Sequence, residues 1–175
     1  MAYTSDLIPV MTSNTEPKGV ASASSELSGA YAAWKAMDHV SPAGNCWATS
    51  AQQSGWLKYQ FDSAKIITQY KITIEDNPVD IDRAPKSWTF QGSNNDSDWV
   101  TLDTQSNITD WVNHETKVFP ISNTNSYLYY RLNISENNGD TYLTIAEWEM
   151  MANAATENKL KFYRRTRFLG NITGL

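Results

Sequence analysis

The alternation of apolar and polar residues in short stretches is the feature that most restricts the fold of this chain. In the stretch 55–61, the residues Leu57, Tyr59 and Phe61 occupy every second position and point to one side of an extended backbone. This period of two is typical of a half-buried β-strand, whereas an amphipathic helix repeats its apolar residues every three to four positions. The chain is therefore expected to be built mainly from strands.

Seven further stretches show strand patterns separated by turn residues. They are 19–25, 66–75, 86–93, 99–103, 115–121, 126–134 and 143–151. Between them we find no convincing amphipathic helix, only a short helical turn within 26–36, and Pro120 places its strand at an edge or a bulge. About eight short strands with turns between them predict an all-β fold, an antiparallel sandwich or jelly roll.

Composition excludes several classes of protein. The 175 residues are 41% hydrophobic and 19% charged, which is typical of one globular domain. The net charge of -5 argues against a nucleic-acid partner. Cys46 is the single cysteine, so no intrachain disulfide can form. No apolar run approaches the roughly 20 residues of a membrane span, and residues 1–6 do not resemble a secretion signal.

The chain divides into three parts by composition. Residues 1–17 are polar and form an extended lead-in, residues 18–151 form the domain, and residues 152–175 form a basic, apolar tail. The tail carries one acid, Glu157, and five basic residues, which are Lys159, Lys161, Arg164, Arg165 and Arg167. We interpret it as a docking or oligomerisation segment. A strand on the acidic body, the start of a further domain and a contact with anionic membrane are alternatives.

A turn-rich loop after residue 35 carries an isolated carboxylate. Asp38 comes shortly before Pro42 and Gly44, where a packed strand cannot continue. A carboxylate in such a loop either caps a turn or binds a cation through its oxygens. The sequence alone leaves both alternatives open.

Six segments in order resemble the coagulation factor 5/8 type C (discoidin) domain. They are Ala-Trp-Lys-Ala-Met-Asp at 33–38, Trp47, Gly-Trp-Leu-Lys-Tyr-Gln-Phe at 55–61, Arg-Ala-Pro-Lys-Ser-Trp-Thr-Phe-Gln-Gly-Ser-Asn-Asn at 83–95, Tyr-Tyr-Arg-Leu at 129–132 and Ile-Ala-Glu-Trp-Glu-Met at 145–150. The resemblance covers about Val20 to Met151 and is closest in style to the family 32 carbohydrate-binding modules of bacteria and phages. It implies an eight-stranded jelly roll with a galactose-binding-like fold.

The resemblance also implies a structural Ca²⁺ site. Its side-chain ligands would be Asp38 and Glu147, and the backbone carbonyls would come from near Lys35, Val40, Asn45 and Ala146. Calcium takes six to eight oxygens, which this set can supply. Glu147 continues the inward face of its strand, where a carboxylate needs a partner. The family often has Gly and Asp after the loop Asp, and this chain departs from that pattern; the alternative is that Asp38 caps the loop and Glu147 pairs with a buried Lys or Arg.

By the same resemblance, a sugar would bind to loops at one end of the sandwich. A sugar site needs a flat aromatic ring and polar groups that bond hydroxyls in fixed directions. The corresponding loops offer His39, Asp76, Asn77, Arg83 and Tyr142. The order departs from the expected one, since Asn77 precedes Arg83. Taken singly, a loop Arg is usually solvated and Tyr142 can simply pack.

Seven Trp residues raise the question of an aromatic binding surface. Most are better explained as core: Trp88 shares a strand face with Phe90, and Trp47 falls where the family packs its core. Trp34 and Trp111 lie in loop contexts, so we expect these two to be the more exposed.

The sequence predicts a non-catalytic carbohydrate-binding module. No nucleophile, phosphate-binding or metalloprotease motif is present, and His39 and His114 are the only histidines. The expected partner is a cell-surface glycan, bound by an oligomer or larger assembly in which the tail contacts neighbouring proteins. The missing disulfide and signal favour a phage virion or an extracellular bacterial surface. The alternative is a structural virion or assembly protein whose loops bind protein neighbours.

Overall fold

A computed structural model describes residues 2–155, which form ten strands, eight of them four residues or longer. The strands are β1 (Val20–Ala23), β2 (Trp47–Ala48), β3 (Gly55–Lys65), β4 (Gln69–Thr73), β5 (Pro85–Ser93), β6 (Val100–Gln105), β7 (Thr116–Pro120), β8 (Tyr127–Asn137), β9 (Thr144–Ile145) and β10 (Glu147–Met151). Three short 3-10 helices cover Gly29–Tyr31, Ala33–Met37 and Ile81–Arg83.

The strands form a sandwich of two main antiparallel sheets. The larger sheet has the order β1-β3-β8-β5-β6, and the smaller has the order β10-β4-β7. A two-stranded sheet, β2-β9, lies beside them. Every strand pair is antiparallel. The all-β antiparallel sandwich predicted from the alternation is confirmed, and β7 with Pro120 is an edge strand as expected.

Aromatic rings fill the space between the two sheets. Tyr70 of β4 stacks on Phe90 of β5 with 4.4 Å between ring centroids, and on Phe119 of β7 at 4.9 Å. Phe90 also stacks on Tyr130 of β8 at 5.5 Å and meets the edge of Trp148 of β10 at 6.3 Å. All five side chains are buried. Burial of rings this large is the main force that holds the sheets together.

The tryptophans are more buried than the sequence predicted. Trp47 and Trp88 lie in the core, as expected. The expectation that Trp111 is exposed is wrong, because its side chain is only 5% exposed and its indole Nε1 donates to the carbonyl of Pro85 at 2.8 Å. Trp34 is half-buried and packs on the core. A loop position did not imply exposure, since the loop before β7 folds back onto the body.

The N-terminal segment packs on the body of the domain. The backbone N–H of Leu7 donates to the carbonyl of Met150 at 2.8 Å, so this segment runs alongside β10. Ile8 and Met11 are each only 1% exposed and belong to the core. The lead-in 1–17, where it is described, therefore contributes to the same core as the strands.

The last predicted strand, 143–151, divides at Ala146. Residues before this point pair with β2 and residues after it pair with β4. The N–H of Ala146 donates to the carbonyl of Thr73 at 3.0 Å, which fixes the crossing from one sheet to the other. This crossing directs the side chain of Glu147 toward the loop that follows Asp38.

Most of the basic tail lies outside the described residues, since the description ends at residue 155. Its role in docking or oligomerisation, and the virion or extracellular location, stay predictions. In the described part of the chain, no helix combines the length and the apolar character that crossing a bilayer requires.

A buried polar contact offers a test of this core. The hydroxyl of Tyr70 donates to Asp103 Oδ2 at 2.7 Å and accepts from Trp88 Nε1 at 2.9 Å. Tyr70→Phe leaves that indole N–H without its partner, so the free energy of unfolding should fall by about 1–3 kcal/mol in urea titrations. The matched control is Tyr129→Phe, because Tyr129 lies on the face of β8 opposite to the buried Tyr130. Its expected loss of unfolding free energy is under about 0.5 kcal/mol. Equal losses in the two variants would contradict the role of this contact.

Candidate functional site

Loops at one end of the sandwich enclose a cleft of about 260 Å³. The cleft is lined by Leu27, Tyr31, Cys46, Ala48, Glu75, Arg83, Tyr142 and Thr144. These residues come from four separate segments of the chain, which meet where β4 and β8 end. A concave site built from several loops on a rigid sheet is the usual form of a small-ligand site.

Arg83 is held in a fixed orientation at the rim of this cleft. It ends the 3-10 turn Ile81–Arg83, and its Nη1 lies 2.8 Å from Asp80 Oδ2. Its Nε lies 3.4 Å from Asp140 Oδ1, and the guanidinium lies 5.5 Å from the ring centroid of Tyr142. Two carboxylates and one ring therefore restrict the guanidinium before any ligand arrives.

The loop that carries Tyr142 is ordered by a buried asparagine. The Asn137 amide Nδ2 donates to the carbonyl of Asp140 at 2.8 Å and to that of Tyr142 at 2.7 Å, and its Oδ1 accepts from Gly139 N at 3.0 Å. Gly139 has φ of 124°, a conformation that side chains with a Cβ rarely adopt. The loop therefore has one preferred shape, and Tyr142 is presented on it.

Glu75 supplies a buried carboxylate to the cleft. It follows β4 and is 6% exposed, and its Oε1 accepts from Gly44 N at 3.1 Å. Within residues 2–155, no N–H or O–H group donates to its Oε2. The Cys46 thiol lies beside Glu75 and hydrogen-bonds to its side chain. Burial, and next the negative charge of Glu75, raise the pKa of that thiol, which stays neutral. The Glu75 carboxylate is therefore held by one backbone N–H and one thiol.

The structure brings together part of the predicted sugar-binding set. Arg83 and Tyr142 line the same cleft. Asn77 is connected to them indirectly, because its amide Nδ2 donates to Asp80 Oδ2, which also pairs with Arg83. The sugar-binding role of these residues stays a prediction.

His39 and Asp76, the other two predicted sugar-binding residues, are not in the lining of that cleft. His39 borders a second groove of about 360 Å³ together with His114, and its Nε2 lies 3.0 Å from Asp6 Oδ2. Asp76 Oδ1 accepts from the Asn113 amide at 2.8 Å. The two residues therefore have contacts of their own, apart from Arg83 and Tyr142.

Six of the eight lining residues of the cleft were not predicted from the sequence, among them Tyr31 and Glu75. Tyr31 ends a turn that Ser28 caps, since Ser28 Oγ accepts from Ala30 N at 3.3 Å. The sequence signal for this turn is the pair Ser28-Gly29, a capping residue and a glycine shortly before the aromatic Tyr31. Glu75 falls at the end of the predicted strand 66–75, but β4 ends at Thr73 and the chain then turns Glu75 inward.

A second feature of this end is a pair of buried carboxylates, Asp38 and Glu147, which are 6% and 7% exposed. Asp38 follows the 3-10 helix Ala33–Met37. The N–H of Val40 donates to both groups, to Asp38 Oδ1 at 3.0 Å and to Glu147 Oε1 at 2.7 Å. The loop folds around this pair, which places two carboxyl groups side by side.

Other predicted metal ligands surround the same pair. The Asn45 amide Nδ2 lies 3.0 Å and 3.2 Å from the two Asp38 oxygens and also contacts the Val40 carbonyl. Lys35 Nζ lies 3.5 Å from Asp38 Oδ2. Ala146 directly precedes Glu147 in the chain. Two oxygens of Asp38 and the carbonyl oxygen of Val40 therefore converge on one position, which the amide nitrogen of Asn45 occupies.

The protonation of Glu147 reflects this arrangement. Burial, and next the negative charge of Asp38, raise the pKa of Glu147 to about 8. Its Oε2 is buried, with no hydrogen-bond partner among the described residues. Across residues 2–155, no group of three or more His, Cys, Asp or Glu side chains is placed to hold a metal. The donors here are two carboxylates with a carbonyl and an amide, an oxygen-rich set of the kind that fits Ca²⁺.

Comparison with known proteins agrees with this architecture. The family model for the NedA-like, galactose-binding domain of F5/8 type C matches residues 35–132. The family 32 carbohydrate-binding module of Clostridium perfringens NanJ, in complex with galactose, has a TM-score of 0.66 and 17% identity, over 86% of this chain and 100% of that one. No curated protein sequence matches this chain.

Two other solved structures share the fold. CpGH89CBM32-5 from Clostridium perfringens, in complex with GalNAc-β-1,3-galactose, has a TM-score of 0.65 and 14% identity, over 81% of this chain and 100% of that one. A chitosan-binding module from a Paenibacillus sp. IK-5 chitosanase/glucanase has a TM-score of 0.61 and 20% identity, over 80% of this chain and 98% of that one. The family model matches more than half of the sequence. The predicted resemblance is therefore confirmed, and the chain belongs to the F5/8 type C family of NedA-like, galactose-binding domains.

Proposed function

We propose that this domain binds a glycan in the cleft lined by Tyr31, Glu75, Arg83 and Tyr142. The observation that carries the proposal is the convergence of a fixed guanidinium, an aromatic ring beside it and a carboxylate in the lining of one cleft. These groups are a hydrogen-bond donor, an apolar surface and an acceptor. A sugar ring presents the complementary groups, which are hydroxyls around its edge and an apolar face.

The cleft is preorganised for binding. Arg83 is already oriented by Asp80 and Asp140, so little side-chain freedom is lost when a ligand binds. The sugar hydroxyls would accept from Arg83 and donate to Glu75. The fold neighbours were solved with galactose and with GalNAc-β-1,3-galactose, which supports a glycan as the class of ligand.

The test of this proposal is a glycan-array screen followed by calorimetry on the best ligand. Arg83→Ala combined with Tyr142→Ala should weaken binding by at least about tenfold, because a charged hydrogen bond and an aromatic contact are both lost. The matched control is Arg131→Ala combined with Trp99→Ala. This is another cation–aromatic pair, 4.0 Å apart, and Arg131 lies on the outer face of the larger sheet. Binding that both double variants reduce equally, or no binding by the folded, multivalent protein, would refute the proposal.

We also propose that Asp38 and Glu147 hold a structural Ca²⁺, with carbonyl or amide oxygens from the loop 38–45. The converging oxygens and the orphaned Glu147 Oε2 support this proposal. The negative charges of the two carboxylates would be balanced by the bound ion. The loop beside the cleft would then be held by the ion as well as by hydrogen bonds.

Chelation should lower the melting temperature of the wild-type protein. At a free Ca²⁺ concentration about a hundredfold above Kd, the expected difference between calcium and chelator is roughly 5–10 °C. Asp38→Ala should abolish that difference, whereas Asp62→Ala, an exposed residue of β3, should retain it. Identical melting curves of the wild type with and without chelator would exclude a structural ion.

In chelator, the stability of the protein should depend on pH through Glu147. Its folded-state pKa of about 8 lies above the usual value of 4.5, so the folded state binds this proton more tightly than the unfolded state. The free energy of unfolding should therefore fall as the pH rises from about 4.5 to about 8. Glu147→Gln should remove this part of the pH dependence, measured by urea unfolding across that range. Parallel pH profiles of variant and wild type would contradict the expectation.

A further inference from the structure

We propose that copies of this chain associate head to tail, with the segment 76–82 of one copy bound to the outer face of the larger sheet of the next copy. The two surfaces differ, so the contact is heterologous and can repeat from copy to copy. Neither surface includes a lining residue of the cleft, and the inference therefore does not depend on the glycan proposal.

The outer face of the larger sheet brings together three half-buried aromatic side chains and two basic ones. They are Trp56, Lys58, Trp99, Tyr129 and Arg131, which we call the aromatic face. The Arg131 guanidinium lies 4.0 Å from the ring centroid of Trp99. Lys58 Nζ lies 5.1 Å from the ring centroid of Trp56 and 5.9 Å from that of Tyr129. Trp, Tyr and Arg most often dominate the binding energy of protein–protein interfaces, so this composition favours a protein partner.

Positive charge is in excess at the aromatic face. Lys58 and Arg131 lie directly opposite each other on β3 and β8, an arrangement that is unfavourable for like charges. Asp96 balances one of them, since its Oδ2 lies 2.6 Å from Lys58 Nζ. Among residues 2–155, Arg131 forms no ion pair, and of its nitrogens only Nε donates a hydrogen bond, to Gln91 Oε1 at 2.7 Å. The guanidinium is therefore oriented and keeps donors for an incoming carboxylate.

The segment 76–82, which we call the acidic turn, has a fixed apolar tip. The N–H of Asp80 donates to the carbonyl of Asn77 at 3.0 Å, which closes a β-turn with Pro78 at its second position. Val79 follows in this turn, and its side chain is 80% exposed. Because the turn is already formed, little conformational entropy is lost when the tip is buried in a contact.

The acidic turn also carries negative charge. Its three carboxylates are Asp76, Asp80 and Asp82. Asp80 Oδ2 is paired with Arg83 Nη1 at 2.8 Å. Asp82 is exposed, and in the described part of the chain its side chain forms no hydrogen bond or ion pair. An unpaired carboxylate therefore lies close in sequence to an exposed apolar tip.

The two surfaces complement each other in charge and in apolar character. In the proposed contact, Val79 packs on the rings of the aromatic face and Asp82 pairs with Arg131. The acidic turn follows β4 of the smaller sheet, whereas the aromatic face lies on the outside of the larger sheet. A second copy of the chain is therefore needed to bring them together.

The test is sedimentation velocity of the full chain over a range of protein concentrations, at low and at high salt. The wild type should associate, and high salt should weaken the association. Arg131→Glu and Asp82→Arg should each weaken it at least about tenfold, because each variant places like charges at the contact. An equimolar mixture of the two variants should associate again, since every contact between the two kinds of chain then joins opposite charges.

A further pair of variants tests the apolar tip. Val79→Ser should weaken the association about three- to tenfold, because the apolar surface buried in the contact is lost. The matched control is Val112→Ser, since Val112 is also exposed, at 62%, and lies in the loop before β7. This control should associate like the wild type. Both side chains are exposed, so circular dichroism should show unchanged folding in both variants.

The remaining outcomes overturn the inference. A wild-type chain that stays monomeric at every concentration excludes the contact. Association that Arg131→Glu and Asp82→Arg leave unchanged assigns assembly to the tail 152–175 or to another surface. Loss of association in both variants without recovery in their mixture contradicts the pairing of Asp82 with Arg131.

Discussion

Two buried carboxylates accept backbone N–H groups from one loop, and the functional end of this domain depends on that constraint. Glu147 accepts from Val40 at the start of the loop, and Glu75 accepts from Gly44 near its end. Glu147 begins β10 and Glu75 follows β4, which are paired strands of the smaller sheet. The loop 38–45 is therefore fixed at two points by a rigid element. Its shape follows from the sheet rather than from its own turn residues.

This arrangement connects the candidate cation position to the candidate glycan cleft. Asp38 and Glu147 contact the loop at Val40, and Glu75, which lines the cleft, contacts it at Gly44. A change in the charge or protonation of the first pair would act on Val40, and a ligand that contacts Glu75 would act on Gly44. Since both amides belong to the same short loop, the two positions share one structural element. Stability and ligand binding are therefore expected to be coupled through this loop.

Sequence reasoning predicted the sheets better than the site. The alternation around Leu57, Tyr59 and Phe61 specifies which face is buried, and all three side chains are buried in the structure. A single contact between residues that are far apart in the sequence leaves no periodic pattern from which it could be predicted. The inward turn of Glu75 depends on where β4 ends, and the burial of Trp111 depends on a loop that folds back on Pro85. Resemblance to a family supplied the positions of Arg83 and Tyr142, which local pattern alone would not have distinguished from solvated loop residues.

The cost of burying carboxylates is the main energetic constraint at this end of the fold. The smaller sheet places Glu75 and Glu147 in the protein interior, where each accepts one backbone N–H from the loop 38–45. The Cys46 thiol also hydrogen-bonds to Glu75, whereas Oε2 of Glu147 has no hydrogen-bond partner in the described part of the chain. In a purely structural loop, amides or hydroxyls of the chain would satisfy such oxygens, as Asn137 does for the carbonyls of its own loop. The Glu147 oxygen left without a donor lies beside a second carboxylate, and this arrangement favours the proposed cation. A cation suits the paired carboxylates, and a donor-rich ligand suits the single carboxylate beside an aromatic ring.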